Sequence, residues 1–154
     1  MNRLITICAV LLAVQLGLAA WTHLGGPGDA AAPVRGPVLP VDPATVDELR
    51  LEDNAGATLV LKKAGEGWML PGLADFPADS GRVRALVERL ASLQRSWPEA
   101  TTAEAAGRFQ VAADRFERRL TLRGGGKDLG RVFLGGSAGL RRVYLRAEGD
   151  QDIF

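Results

Sequence analysis

The sequence predicts an α+β fold: short antiparallel strands and hairpins packed on one main amphipathic helix, preceded by a single transmembrane helix. Three observations predict it. Residues 4–22 form nineteen consecutive uncharged positions, LITICAVLLAVQLGLAAWT. Between Pro77 and Ser96 the apolar residues Val83, Leu86, Val87, Leu90 and Leu93 recur at helical spacing, giving one stripe. Elsewhere, short alternating segments are separated by glycine-containing turns, which is the pattern of hairpins.

The first element is the apolar run. Nineteen helical residues rise about 28 Å, close to the ~30 Å hydrocarbon thickness of a bilayer. Trp21 lies at its outer end, where an amphipathic ring favours the headgroup layer. A cleaved signal peptide is the competing reading, but its apolar core is usually about 7–15 residues. The length therefore favours an uncleaved anchor over residues 1–24. Arg3 and the N-terminal amine place the N-terminus in the cytoplasm and the rest of the chain outside it. The expected location is a bacterial inner membrane, crossed once, with the bilayer itself as a partner through residues 4–22. Cys8 reads as a small apolar residue within the run.

Residues 25–40 hold four of the eight prolines and four glycines, and read as a flexible linker. Such a segment reaches on the order of 20–25 Å. The folded domain is expected over residues 41–154. Strands are predicted around Val46–Leu51 and Thr58–Lys62, joined by the turn Asp53-Asn54-Ala55-Gly56. A third follows at Trp68-Met69-Leu70 after the turn Gly65-Glu66-Gly67. The main helix follows over Pro77–Ser96, capped by Asp79 or Ser80 and stopped by Pro98. A short second helix is predicted over Thr102–Arg108. Strands are then expected at Arg118–Arg123, Leu129–Leu134 and Arg142–Arg146, with a glycine turn over Gly135–Gly139. The chain ends on Asp152-Ile153-Phe154, which reads as a strand cut short, as expected of a fragment or of a truncated family member. The hairpin around Leu49-Arg50-Leu51 and Leu59-Val60-Leu61 resembles the one around Leu120-Thr121-Leu122 and Val132-Phe133-Leu134, a likeness that either a duplication or two ordinary amphipathic hairpins would produce.

Composition excludes several functions. Setting Arg3 aside leaves 18 basic and 18 acidic residues, so no net positive charge is available for phosphate neutralisation, and nucleic acid is not an expected partner. The domain has no cysteine, which removes disulfides and thiolate metal sites.

Catalytic motifs fail on physical grounds. Gly135-Gly136-Ser137-Ala138-Gly139 matches the nucleophile-elbow spacing G-x-S-x-G. That motif requires a following helix and a histidine to take the serine proton. Here a strand is predicted next, and the one histidine, His23, adjoins the apolar run. Gly124-Gly125-Gly126-Lys127-Asp128 lacks the spacing, the Ser/Thr and the helix of a phosphate loop. Asp75 and Asp79 lack further oxygen ligands for calcium. No enzyme activity, metal or cofactor is expected. The candidate contacts to a ligand or partner are Trp68, Trp97 and Tyr144, as aromatic surfaces, with Arg141 and Arg142 facing anionic lipid or a partner. Phe76 is grouped with the two tryptophans as core volume around the helix.

The order of these features resembles a known family. An N-terminal apolar helix precedes a strand pair, the element Gly67-Trp68-Met69-Leu70-Pro71, and Ala78-Asp79 leading into a helix with Val83, Leu86, Leu90 and Leu93. A glycine-turn strand pair then ends in Tyr144-Leu145-Arg146. From Val46 to Phe154 the chain resembles the DUF4340 family of bacterial envelope proteins. It departs from the family pattern at Phe109–Phe116, which lacks a Gly-Leu-x-x-Pro turn. The resemblance implies a non-catalytic module, with members encoded near ABC-type transport and gliding-motility auxiliary components. An ABC-type permease is thus an expected partner. A ligand-binding module for lipid or glycan is the alternative.

Overall fold

The computed structural model describes residues 6–8, 10–17, 36–140 and 142–154. It divides into two compact units, Met1–Val34 and Arg35–Phe154.

In the first unit, residues 6–8 and 10–17 are helical. Among the described residues, no helix is long and apolar enough to cross a membrane. The single transmembrane helix of the predicted fold class is corrected accordingly. The apolar side chains of these helical residues are exposed, with Ile7, Val10, Leu11, Leu12, Val14 and Leu16 between 56% and 62% accessible. Most of the linker lies outside the described residues.

The second unit is organised by one seven-stranded antiparallel sheet rather than by a helix. Its strands are β1 (Glu48–Asp53), β2 (Thr58–Ala64), β3 (Gly67–Leu70), β4 (Phe76–Ala78), β5 (Arg118–Gly124), β6 (Lys127–Gly139) and β7 (Arg142–Ala147). They lie in the order β4-β3-β2-β1-β5-β6-β7. The expected helix-centred α+β packing is therefore corrected. The helices are short pieces laid against a continuous sheet, α1 (Ser80–Ala91) and α2 (Ala103–Arg108).

Alternation explains the sheet. In β1, Leu49 and Leu51 point to one face while Glu48, Arg50 and Glu52 point to the other. β1 pairs with β2 (Leu49 opposite Leu61) and with β5 (Leu49 opposite Leu122). Leu49, Leu122 and Val132 are almost completely buried. They share a core with Val46, Trp68, Leu120 and the α1 residues Val83, Val87 and Leu90.

The helix begins later and ends earlier than the predicted Pro77–Ser96. Pro77 lies in β4, and Asp79 caps α1 by accepting a hydrogen bond from the Arg82 amide at 3.0 Å. Ser80 is used differently, its hydroxyl accepting from the Trp68 amide at 3.0 Å. Leu86, a member of the stripe, remains 41% exposed. Val38 and Leu39, assigned by sequence to the linker, are buried core residues, and the Val38 amide donates to the Leu93 carbonyl at 2.7 Å.

The glycine segment 135–139 is strand, not turn, because β6 continues through it. Position 135 requires glycine, since a Cβ there would collide with the Phe109 carbonyl oxygen and lie 2.8 Å from the Val111 side chain. That approach lets the Gly136 amide donate to the same carbonyl at 3.1 Å. Phe133, on the face of β6 opposite Val132, fills a second core with Ala105, Ala106, Val111 and Ile153. At the chain end, Leu145 and Phe154 exchange backbone hydrogen bonds of 2.8 and 2.9 Å, and Ile153 bridges to Ala100.

Gly135→Ala is expected to destabilise the domain by about 1–3 kcal/mol through steric overpacking. Gly72→Ala, where nothing lies within 4 Å of an added Cβ, should stay within about 0.5 kcal/mol. Urea unfolding of both variants checks this, and equal shifts would refute the close-approach argument.

Candidate functional site

The residues singled out by sequence occupy separate places. Trp68, in β3, is 7% exposed and belongs to the α1-side core. Tyr144, in β7, stacks on Phe109 with ring centroids 4.0 Å apart and planes 14° from parallel, and belongs to the second core. Trp97, beyond α1, is 61% exposed, as is Phe76. These last two do not supply the core volume expected of them. Arg142 is exposed at the start of β7, and Arg141 lies outside the described residues. Ser137 sits within β6, its hydroxyl donating to the Gly139 carbonyl at 2.8 Å, and strand β7 rather than a helix follows. His23 lies outside the described residues.

Two surfaces remain as candidates. The first is a cleft of about 380 Å³ beside Trp68. Buried Val46, Trp68 and Val87 form its floor, and exposed Lys63, Arg84 and Glu88 form its rim. The three rim side chains make no ion pair among the described residues, so they are available to a ligand. No hydroxyl, thiol or imidazole lines the cleft. It offers an aromatic floor and mixed charge, which suits binding and orientation of a small amphipathic molecule.

The second is an apolar strip on the same face of the sheet, toward the β2–β4 edge. Phe76 lies opposite Leu70, and Leu59 lies opposite Leu51. Phe76 is 61% exposed, and Leu59 is 41% exposed. Leu86 of α1 is also 41% exposed, on the helical flank turned away from Arg84 and Glu88.

The reverse face of the sheet is ionic. Arg123 pairs with Glu48 and with Asp128, each at 2.8 Å. Arg131 pairs with Asp128 at 2.8 Å and also with Glu148. Arg119 Nε donates to Glu52 at 2.7 Å. That hydrogen bond holds the Glu52 carboxyl below its ordinary value of 4.5; partial burial opposes it, and the nearby charges of Arg119, Arg50 and Arg131 assist it. The Arg123 guanidinium is shifted upward by its hydrogen bonds to Glu48 and Asp128. Sequence reasoning passed over these residues. Their signal was present as the polar half of the alternation in Glu48-Leu49-Arg50-Leu51-Glu52 and Arg119-Leu120-Thr121-Leu122-Arg123.

Comparison with known proteins places the chain in a family. Residues 68–154 match the model described as "Domain of unknown function (DUF4340)", and the chain belongs to that family. The match runs from β3 to Phe154, whereas β1 and β2 precede it within the same sheet. No curated protein matches the chain, and no solved structure matches it.

A depressed Glu52 pKa contributes stability above the ordinary glutamate value, and this is lost as pH falls through the lower folded value. Glu52→Gln should therefore cost about 0.5–1 kcal/mol at pH 7, a modest figure because the pair is partly solvated. The cost should vanish once the carboxyl is protonated in the wild type. Urea unfolding from pH 7 down to pH 3 checks the sign; a difference that persists undiminished at pH 3 would assign Glu52 a packing role instead.

Proposed function

We propose that this protein is an extracytoplasmic, non-catalytic accessory module that works in contact with an ABC-type transport or gliding-motility-like system of the bacterial envelope. The observation that carries this reading is the exposed apolar strip of Phe76, Leu59 and Leu86. Apolar side chains grouped on one face of a small domain mark a protein contact surface. The N-terminal run supports a location at the bilayer. Six large apolar side chains exposed along its described helical residues favour lipid over water. Family membership supports the reading through the genomic company that such proteins keep.

The second reading is a module that binds lipid or glycan, and the cleft beside Trp68 favours it. In that case the indole forms part of the binding floor, while Lys63 and Arg84 hold polar groups of the ligand.

The test is affinity purification of the tagged full-length protein from mildly solubilised native membranes. A stoichiometric permease or ATPase is expected with the wild type. Phe76→Asp combined with Leu86→Asp should reduce its recovery at least tenfold, as loss of central apolar contacts does. Recovery of the wild-type protein alone would contradict the accessory role. A ligand-dependent fluorescence change absent from Trp68→Phe would then favour the binding reading.

A further inference from the structure

The ionic face of the sheet contains a groove of about 420 Å³ that the ion pairs do not account for. Arg50, Lys62 and Arg123 line it together with a single acid, Glu48, and with Val60 and Leu73 as apolar walls. Leu73 belongs to the short Pro71–Leu73 turn beside β2 and is 61% exposed.

The cations of the groove differ in how they are satisfied. Every nitrogen of the Arg123 guanidinium donates: Nη1 to Glu48 at 2.8 Å, Nε to Asp128 at 2.8 Å, and Nη2 to the Gly126 carbonyl at 3.0 Å. Glu48 is neutralised by the same contact. Arg50 and Lys62 have no hydrogen-bonded or ion-paired partner among the described residues. Arg50 is the exception among the partly buried arginines of the sheet. Arg119, Arg123, Arg131 and Arg146 all donate to oxygen atoms. The Arg50 Nε is buried without any partner. A buried guanidinium donor left unpaired is costly, and such groups in native proteins generally have a partner, whether protein, water or ligand.

We propose that this groove binds an amphiphilic anion, with a phosphate or carboxylate on Arg50 and Lys62 and a hydrocarbon body along Val60 and Leu73. The guanidinium supplies the planar donor pair suited to such oxygens, and Lys62 adds a second, more mobile charge. The site lies on the sheet face opposite Phe76, and although Leu59 of the strip edges the groove, its test residues Arg50, Lys62 and Leu73 lie outside the strip, so its failure is distinguishable from that of the accessory reading.

Calorimetric titration of the full-length protein in neutral detergent tests this with three probes: inorganic phosphate, hexyl phosphate, and phosphatidylglycerol in mixed micelles. Hexyl phosphate should bind at one site, more tightly than inorganic phosphate. Arg50→Met and Lys62→Met should each weaken it at least tenfold. Leu73→Ser should weaken hexyl phosphate while leaving inorganic phosphate unchanged. Binding of phosphatidylglycerol as well identifies a lipid headgroup as the source, and binding of hexyl phosphate alone identifies a soluble amphiphile. Lys62 is exposed, so its variant keeps the test open if Arg50→Met fails to fold. Absence of binding, or equal affinity in the wild type and the Lys62 variant, overturns the proposal.

Discussion

The pairing of β1 with β5 is the constraint on which the domain depends. It joins two hairpins far apart in the chain; Glu48 and Arg123, which it brings together, are separated by 75 residues. Leu49 opposite Leu122 and Leu51 opposite Leu120 align the apolar sides of both hairpins into one surface. The same register sets Glu48 against Arg123 and Glu52 against Arg119 on the reverse. Because side chains alternate, a one-residue slip would carry every leucine to the ionic face. Register, core and charge pairing are thus a single choice.

From this choice follows an uneven covering of the sheet. Helix α1 packs against Trp68 of β3, and together with the Val38–Leu39 segment it closes the apolar face around Leu49, Leu122 and Val132, which are almost completely buried. On the other face, α2 and the segment from Phe109 to Phe116 enclose Phe133. That closure depends on Gly135, which admits the Phe109 carbonyl against β6. The β2–β4 half is covered at Trp68 but open further along its strands. Leu59, Leu73 and Phe76 remain exposed there, and the groove at Arg50 opens beside them. The apolar strip and the Arg50 groove proposed as functional surfaces both lie there, on opposite faces of the sheet and meeting at Leu59.

Much of this was legible from residues alone. The leucine alternation marked β1, β2 and β5, and Asp79 or Ser80 marked the start of α1, where Asp79 is the residue that caps it. What escaped depended on contacts distant in sequence. Gly135 to Gly139 has the composition of a turn, and nothing local shows that a carbonyl from residue 109 passes close to it. Val38 and Leu39 sit among prolines and glycines, so their burial against Leu93 had no periodic signal. Phe76 and Trp97 looked like core because aromatic rings usually are, yet the sheet leaves both in solvent. The family resemblance was legible through the spacing around Trp68 and Tyr144, although the structure sends those two rings to different cores. Arg50 was the least visible, because an arginine in an alternating strand reads as a solvated position until its neighbours are known.

Site-specific photocrosslinking in native membranes tests the central claim, that the under-covered half of the sheet is a protein contact surface. A photoreactive phenylalanine analogue would replace Phe76 in one variant and Leu140 in another. Leu140 is 94% exposed on the β6–β7 hairpin and lies far along the sheet from β4. A discrete crosslink to one transport-system protein is expected from position 76 and none from position 140. Crosslinks of equal yield from both positions, or none from position 76, would contradict that claim.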